Sequence, residues 1–390
     1  MQHAAQRWDA IVVGGGPAGS SAARRLASGG ARTLLLEKQR HPRYKPCGGG
    51  LPLHALTEID TPIDDLFEGQ VDTLEISHPS GRRFRKSHGG PFASLVMRDR
   101  LDARLLDAAR DAGAQVHEGE PLRRLSATGA PGRAIAETAL GRYEAPLLIG
   151  ADGATGPTAR AAGLDDAVPR SAAWELEIEA PPAALDHWAG VANIDVAYRP
   201  WGYGWVFPKQ GRLSVGIVLP PGHGRRIRAL TDAYAARLGL RGAPVHIARG
   251  HPVRYRRGTR RPVARGPLLL AGDAAGLADE FTAEGIHYAL RSGRLAAEAA
   301  LDGLGRDGAT ADAAARYLAA VNREIQPELD AARAISRMYY WCVSTWAALA
   351  LRVSEWVDYL WRAFFRVMRG ESTYARELSR AGLGLTRRLL

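Results

Sequence analysis

The chain has 390 residues, enough for two domains or for one large domain with an insertion. Apolar and charged residues make up 46% and 24%, as in an ordinary globular protein, and the two cysteines, Cys47 and Cys342, lie too far apart in sequence to suggest a disulfide framework, which points to a reducing cytosol. The net charge of +11 suits an anionic partner, but the basic residues are scattered apart from a cluster at 254–261 and nothing reads as a nucleic-acid module, which leaves a diphosphate or an anionic membrane surface.

The first apolar segment lies almost at the N-terminus, with no signal peptide before it. Residues 8–13 read as a short buried strand. Gly14, Gly16 and Gly19 follow in the G-x-G-x-x-G spacing, and residues 20–28 read as an alanine-rich helix. Gly14 lets the chain turn out of the strand, Gly16 lets a pyrophosphate approach the backbone, and Gly19 lets the helix pack close to the sheet. The helix N-terminus offers N–H groups and a partial positive charge to that pyrophosphate. A second strand, 33–36, ends in Glu37, placed where a carboxylate accepts hydrogen bonds from an adenosine ribose. The spacing alone is a weak signal, since Gly303, Gly305 and Gly308 repeat it behind a helix with no strand, and read as a loop. Only the first copy has strand, helix, second strand and acid in order, so only it is expected to bind a dinucleotide.

Residues 39–50 form a loop ending in Cys47 and three glycines, a backbone able to lie flat against a ligand. Strands are expected near 73–77 and 82–86, a helix from 96 to about 112, and a third parallel strand at 115–117. A hairpin follows over 123–139, broken at 129–132. Residues 147–152 read as a buried strand ending at Asp152, and Pro157 opens a helix. From 172 to 255 the pattern becomes strands and turns, at 174–178, 191–198, 204–207 and 213–218, which reads as an antiparallel sheet inserted into the nucleotide domain. A buried strand at 268–273 ends in Asp273, a small-residue loop covers 274–285, and a helix covers 286–301. Everything from 312 on reads as helical. The tail carries Tyr339, Tyr340, Trp341, Trp346, Trp356, Tyr359, Trp361, Phe364 and Phe365 among Arg337, Arg352, Arg362 and Arg366. Such a segment either lies in a membrane interface or packs on the nucleotide domain as core. Its longest uncharged run, 338–351, is shorter than the roughly 20 residues a bilayer span needs.

The glycine loop with Glu37, the strand end at Asp152 and the Gly272-Asp273 pair together resemble the flavoprotein reductases and hydroxylases built on a glutathione-reductase-like FAD domain. The resemblance implies FAD as cofactor, held by Gly14, Gly16, Ala18, Gly19, Glu37, Lys38, Asp152 and Gly272. It places Asp273 on a ribityl hydroxyl and Arg98 near the phosphates and ribityl chain. The plainer readings are a helix N-cap for Asp273 and a surface ion pair with Asp102 for Arg98. Tyr44-Lys-Pro-Cys-Gly-Gly-Gly50 is similar to the cysteine-glycine motif of the geranylgeranyl reductase family. Pro200-Trp-Gly-Tyr203-Gly-Trp205-Val-Phe207-Pro208 fits that family's P-x-x-Y-x-W-x-F-P signature. Gly272 to Leu277 and Ala283 to Arg294 resemble its second FAD motif, with Ala283 in place of the usual glycine and His287 where tyrosine is common. The likeness covers about residues 8–325.

Membership implies an α/β fold: a glutathione-reductase-like FAD-binding domain (1–165 and 257–325) with an inserted antiparallel-sheet substrate domain (166–256, helped by part of 50–95) and a C-terminal helical region (326–390). The implied chemistry saturates carbon–carbon double bonds of a polyprenyl chain, with a hydride from reduced FAD and a proton to the other carbon. Cys47, Tyr203 and Trp205 are the candidate catalytic residues. Cys47, Gly48 and Gly49 would lie against the flavin, and the helix starting at Gly285 and Ile286 would point its N-terminus at the flavin's N1–O2 edge. Cys47 either tunes the site or relays a proton, or is a small buried apolar residue. Tyr203, Trp205 and Phe207 alternate along a strand and so share one face, as the wall of a prenyl tunnel or as sheet core. The expected partners are a polyprenyl diphosphate or a prenylated lipid, quinone or pigment, with NAD(P)H or reduced ferredoxin as electron donor and no metal. A cytoplasmic protein, peripheral on the inner face of the membrane, fits this picture. The alternatives are an FAD monooxygenase on the same scaffold and a non-catalytic lipid-binding flavoprotein.

Overall fold

The computed structural model describes residues 5–381 except 129–131, 166–169, 197, 199–201, 257, 259–260 and 305–309. A mostly parallel sheet carries the glycine turn. Its strands run in the order Ala264–Arg265, Leu268–Leu270, Leu147–Gly150, Ala10–Val13, Thr33–Glu37 and Gln115–Glu118, and only the Ala264–Arg265 edge pairs antiparallel. The two central strands of the turn are buried along their whole length, as sheets covered on both faces require. Helix Pro17–Ser28 starts three residues earlier than its alanines suggest, because Pro17 sits at its first turn, where a missing N–H costs nothing. Helix Arg98–Asp111 starts two residues later than expected, since Met97 is still extended.

The glycines fix how closely these layers approach. A Cβ on Gly14 would lie 2.4 Å from the Ala151 carbonyl oxygen, and one on Gly19 would lie 1.8 Å from the Gly14 carbonyl oxygen. Helix Pro17–Ser28 crosses helix Ile286–Leu304 at Gly293, where a Cβ would stand 2.1 Å from the Ala18 carbonyl oxygen.

The second sheet has seven strands in the order Val245–Arg254, Arg170–Glu179, Arg212–Leu219, Tyr203–Lys209, Val191–Asp195, Thr73–Ser77 and Arg83–Ser87. All its pairings are antiparallel except Val191–Asp195 with Thr73–Ser77, so two strands from the first hundred residues complete a sheet built mainly from the insertion. The strand pattern hid two helices in the insertion, Pro182–Trp188 and Ile227–Arg237. The second buries Ile227, Thr231 and Tyr234 at helical spacing among charged neighbours. The expected hairpin pairs Arg124–Thr128 with Arg133–Glu137, and its break lies largely outside the described residues. Of the second glycine pattern, Gly303 is helical, and Gly305 and Gly308 lie outside the described residues.

The basic cluster at 254–261 is not a surface patch where it is described. Arg254 is fully buried with Nη2 3.0 Å from Asp165, and Arg256 is 3% exposed and bonded to the Arg261 carbonyl at 2.6 Å. The tail forms helices Thr310–Glu324, Gln326–Trp356, Asp358–Arg369 and Tyr374–Arg380, with non-helical torsions at Trp346. One side of it is core against the seven-stranded sheet, where Trp361 meets Phe84 edge to face. Tyr340, Val343, Leu351, Trp361 and Phe365 are core, whereas Trp341, Trp346 and Trp356 are exposed. Among the described residues no helix is long and apolar enough to cross a membrane.

Gly293→Ala forces the two crossing helices apart. We expect a loss of about 1–3 kcal/mol in denaturant unfolding.

Candidate functional site

A cavity of about 630 Å³ runs from the glycine turn to the tail helices. Its polar limb combines backbone N–H groups with charged side chains. Helix Pro17–Ser28 has no side-chain cap and no acid in its first turn, so its leading N–H groups and dipole remain available to an anion. Gly16 lines the cavity, and a Cβ there would meet nothing nearer than Arg43 Nη2 at 3.7 Å. Glu37 is buried. Its Oε2 accepts the Gly15 N–H at 2.6 Å and its Oε1 the Gln39 N–H at 2.9 Å, tying the turn to the end of the second strand.

Lys38, Arg43, Lys45 and Arg98 add positive charge to this limb. The ion pair between Arg98 and Asp102 exists, but it is buried rather than on the surface. Asp102 accepts two bonds from Arg98 at 2.9 Å and one from Arg43 at 2.8 Å. Burial raises the Asp102 carboxyl, but the two guanidinium groups outweigh it and hold the pKa below the usual range. Arg98 still lines the cavity. His251 also lines it, with a buried Nε2 that has no partner among the described residues. Burial, then the nearby cations led by Lys45, push its pKa down to about 3, so the ring is neutral.

Asp273 lines the cavity from the short turn Gly272–Ala275 rather than capping a long helix, and its carboxylate makes no hydrogen bond among the described residues. Asp152 also lines it, but its carboxylate accepts Thr158 Oγ1 at 2.5 Å and the Thr158 N–H at 2.9 Å, which caps the next helix. Ala18, Gly285 and Ile286 are on the wall too. Gly19 and Gly272 are not, and serve close packing. Uncapped N–H groups, open glycine faces, an unpaired imidazole nitrogen and excess cations fit an anionic dinucleotide such as FAD.

The other limb is apolar. Residues 47–50 lie flat on strand Tyr203–Lys209, where a Cβ on Gly48 would come within 2.8 Å of the Phe207 ring and Trp205 Nε1. Gly49 has φ +78°, and a Cβ there would stand 2.1 Å from the Val96 carbonyl oxygen. The Cys47 N–H donates to Glu175 Oε2 at 2.5 Å. Trp205 Nε1 donates to Ser214 Oγ at 3.2 Å, and Ser214 donates on to Glu175 Oε1 at 3.0 Å. Burial pushes Glu175 up to about 7, with Lys209 opposing and Glu177 adding. Tyr203 donates its hydroxyl to the Thr282 carbonyl, and burial keeps the phenol protonated well above its ordinary range.

Tyr203, Trp205 and Phe207 all face the cavity, as their alternation predicts. Val71, Leu74, Ile76 and Ile194 continue the wall, and Phe281, Tyr339, Tyr340, Trp361, Phe364 and Met368 close it. Sequence reasoning missed Arg43, Lys45, Glu175, His251 and Glu284 as wall or supporting residues. The tail's contribution was legible in Trp361, Phe364 and Met368, spaced i, i+3, i+7 on one helix face. Glu175 and His251 sit on strands, where no local signal marks them.

A family model described as an FAD binding domain matches residues 7–294. The chloroplastic geranylgeranyl diphosphate reductase of Oryza sativa subsp. japonica is 30% identical over 360 residues, covering 86% of this chain and 76% of that protein. The digeranylgeranylglycerophospholipid reductase 1 of Methanopyrus kandleri is 30% identical over 349 residues, covering 85% and 90%. A solved geranylgeranyl bacteriochlorophyll reductase-like protein from Thermoplasma acidophilum superposes with a TM-score of 0.73 at 24% identity, covering 87% of each chain. A flavin-dependent brominase superposes equally well, at 0.74, but with 16% identity, so it speaks only for the fold.

Ala283 adopts φ +56°, where an L-residue is strained. Ala283→Gly is expected to gain about 1 kcal/mol in thermal unfolding.

Proposed function

The chain belongs to the geranylgeranyl reductase family of FAD-dependent oxidoreductases acting on CH–CH groups, and from that premise we propose that it saturates the double bonds of a polyprenyl chain. The observation that carries this reading is the continuity of the cavity: the glycine turn and the apolar limb share one space, with Cys47 and Trp205 where they meet. Bound FAD, once reduced, supplies the hydride. The chain's own residues bind, orient and exclude water. The helix N-terminus at Gly16 and the cations Lys38, Arg43 and Arg98 take the diphosphate, Glu37 the adenosine ribose and Asp273 the ribityl chain. Residues 47–49 offer their backbone to the flavin ring. Tyr203, Trp205, Phe207 and the tail aromatics hold the prenyl chain in a dry limb, since an unactivated alkene accepts hydride only when held close and shielded from water. The Glu175 carboxylate fixes Cys47 through its N–H, and the Thr282 carbonyl fixes the Tyr203 hydroxyl.

On this reading residues 1–165 and 257–325 make up the flavin-binding part, 166–256 with part of 50–95 the substrate part, and 326–390, helical where described, the cover. Candidate substrates are a polyprenyl diphosphate and a prenylated lipid, quinone or pigment, and the electron donor is NAD(P)H or reduced ferredoxin. The tail also supports contact with an anionic membrane surface. Of the eleven exposed large apolar residues described, nine fall between Met338 and Leu360, on helices that wall the apolar limb from their other side. Exposed Arg337 and Arg352 accompany them.

The direct test is product mass. Holoprotein reduced chemically without air and given geranylgeranyl diphosphate should add two hydrogens per double bond, and prenyl quinones and pigments extend the panel. Oxygen incorporation into a product on admission of air would instead favour a monooxygenase. Glu37→Ala is expected to weaken flavin retention about 10- to 100-fold, read by fluorescence titration. Replacing Trp341, Trp346 and Trp356 together by Ser is expected to abolish co-sedimentation with anionic vesicles while sparing turnover of a detergent-dispersed substrate.

A further inference from the structure

A largely buried acid–base pair lies beside the cavity, with its acid on the wall just before the helix that starts at Ile286. His54 Nδ1 lies 3.0 Å from the Val367 carbonyl, which can only accept, so Nδ1 carries a hydrogen. His54 Nε2 lies 3.0 and 3.2 Å from the two Glu284 oxygens. A short contact between an imidazole nitrogen and a carboxylate needs one proton between them. The pair therefore holds one transferable proton, as imidazolium with carboxylate or as imidazole with carboxylic acid. Burial lowers the His54 pKa, but Glu284 outweighs it and raises the pKa above the ordinary imidazole range, which favours the imidazolium form. Glu284 reaches the cavity where the apolar wall of Phe281 and Met368 meets Gly285, whereas His54 is not on the wall.

We propose that Glu284 is the proton donor of the reduction and that His54 is the positioning residue that loads it. The inference rests on the alkene-reductase reading. As the hydride and its electron pair form a C–H bond at one alkene carbon, the π pair shifts to the other carbon. That carbon takes a proton through Glu284, and the His54 Nε2–H bond breaks, its electron pair staying on nitrogen. His54 ends neutral and Glu284 ends as carboxylate. Two lone pairs then face each other, which favours prompt reloading from water.

Glu284→Gln keeps the shape and removes the shared proton, because the Gln amide donates to a neutral His54. Two readouts test the assignment. In histidine-selective 15N spectra of the holoprotein, His54 should show both nitrogens protonated, and Glu284→Gln should leave one. In anaerobic single turnover with geranylgeranyl diphosphate, Glu284→Gln should slow prenyl saturation about 10²- to 10⁴-fold at unchanged KM and unchanged chemical reduction of the flavin. Full-rate saturation by Glu284→Gln, or an unsubstituted protein with one protonated His54 nitrogen and a Glu284 ionised by its 13C carboxyl shift, overturns the proposal. An unsubstituted protein that saturates no prenyl chain overturns the reading beneath it, and the inference with it.

Discussion

The structure depends on a backbone that has no room for side chains where residues 48 and 49 run. Gly48 is pressed on Phe207 and Trp205 of the seven-stranded sheet, and Gly49 on the carbonyl of Val96, which ends strand Ala93–Val96 of a small three-stranded sheet. That contact holds the small sheet close to the seven-stranded sheet that walls the apolar limb. The same logic recurs at Gly14, Gly19 and Gly293, where a Cβ would run into a carbonyl oxygen. Close packing at these points leaves the remaining space as one cavity with a charged end and a greasy end.

Polarity then sorts the cavity. The charged end is built from uncapped N–H groups and guanidinium ions locked by buried Asp102, an arrangement that is costly without a bound anion. The greasy end is closed by rings packed edge to face, such as Phe281 with Tyr339 at 5.9 Å and Trp361 with Phe364 at 6.4 Å. On the proposed reading, this arrangement would hold a flavin and a hydrocarbon chain within reach of one another and away from water.

Much of this was legible in the sequence. The strand, turn, helix and acid around Gly14 and Glu37 are local, and local order is what periodicity reports. The alternation of Tyr203, Trp205 and Phe207 likewise assigns three rings to one face of their strand, and that face is the cavity wall. The partner of the Val191–Asp195 strand was not legible, because its parallel neighbour lies more than a hundred residues earlier. Nor were the burial of Arg254, the Glu175 support behind Cys47 or the His54–Glu284 pair, since each depends on contacts between distant segments. The tail was ambiguous for a different reason: one face of its helices is core and the other exposed, and composition alone does not say which aromatic falls on which face.

The most direct test of the central claim is anaerobic stopped-flow absorbance of the reduced holoprotein mixed with a prenyl substrate. The account predicts reoxidation of the flavin in the absence of oxygen, with one double bond saturated per flavin oxidised. Flavin that stays reduced against every prenyl substrate and reoxidises only when air is admitted would contradict it.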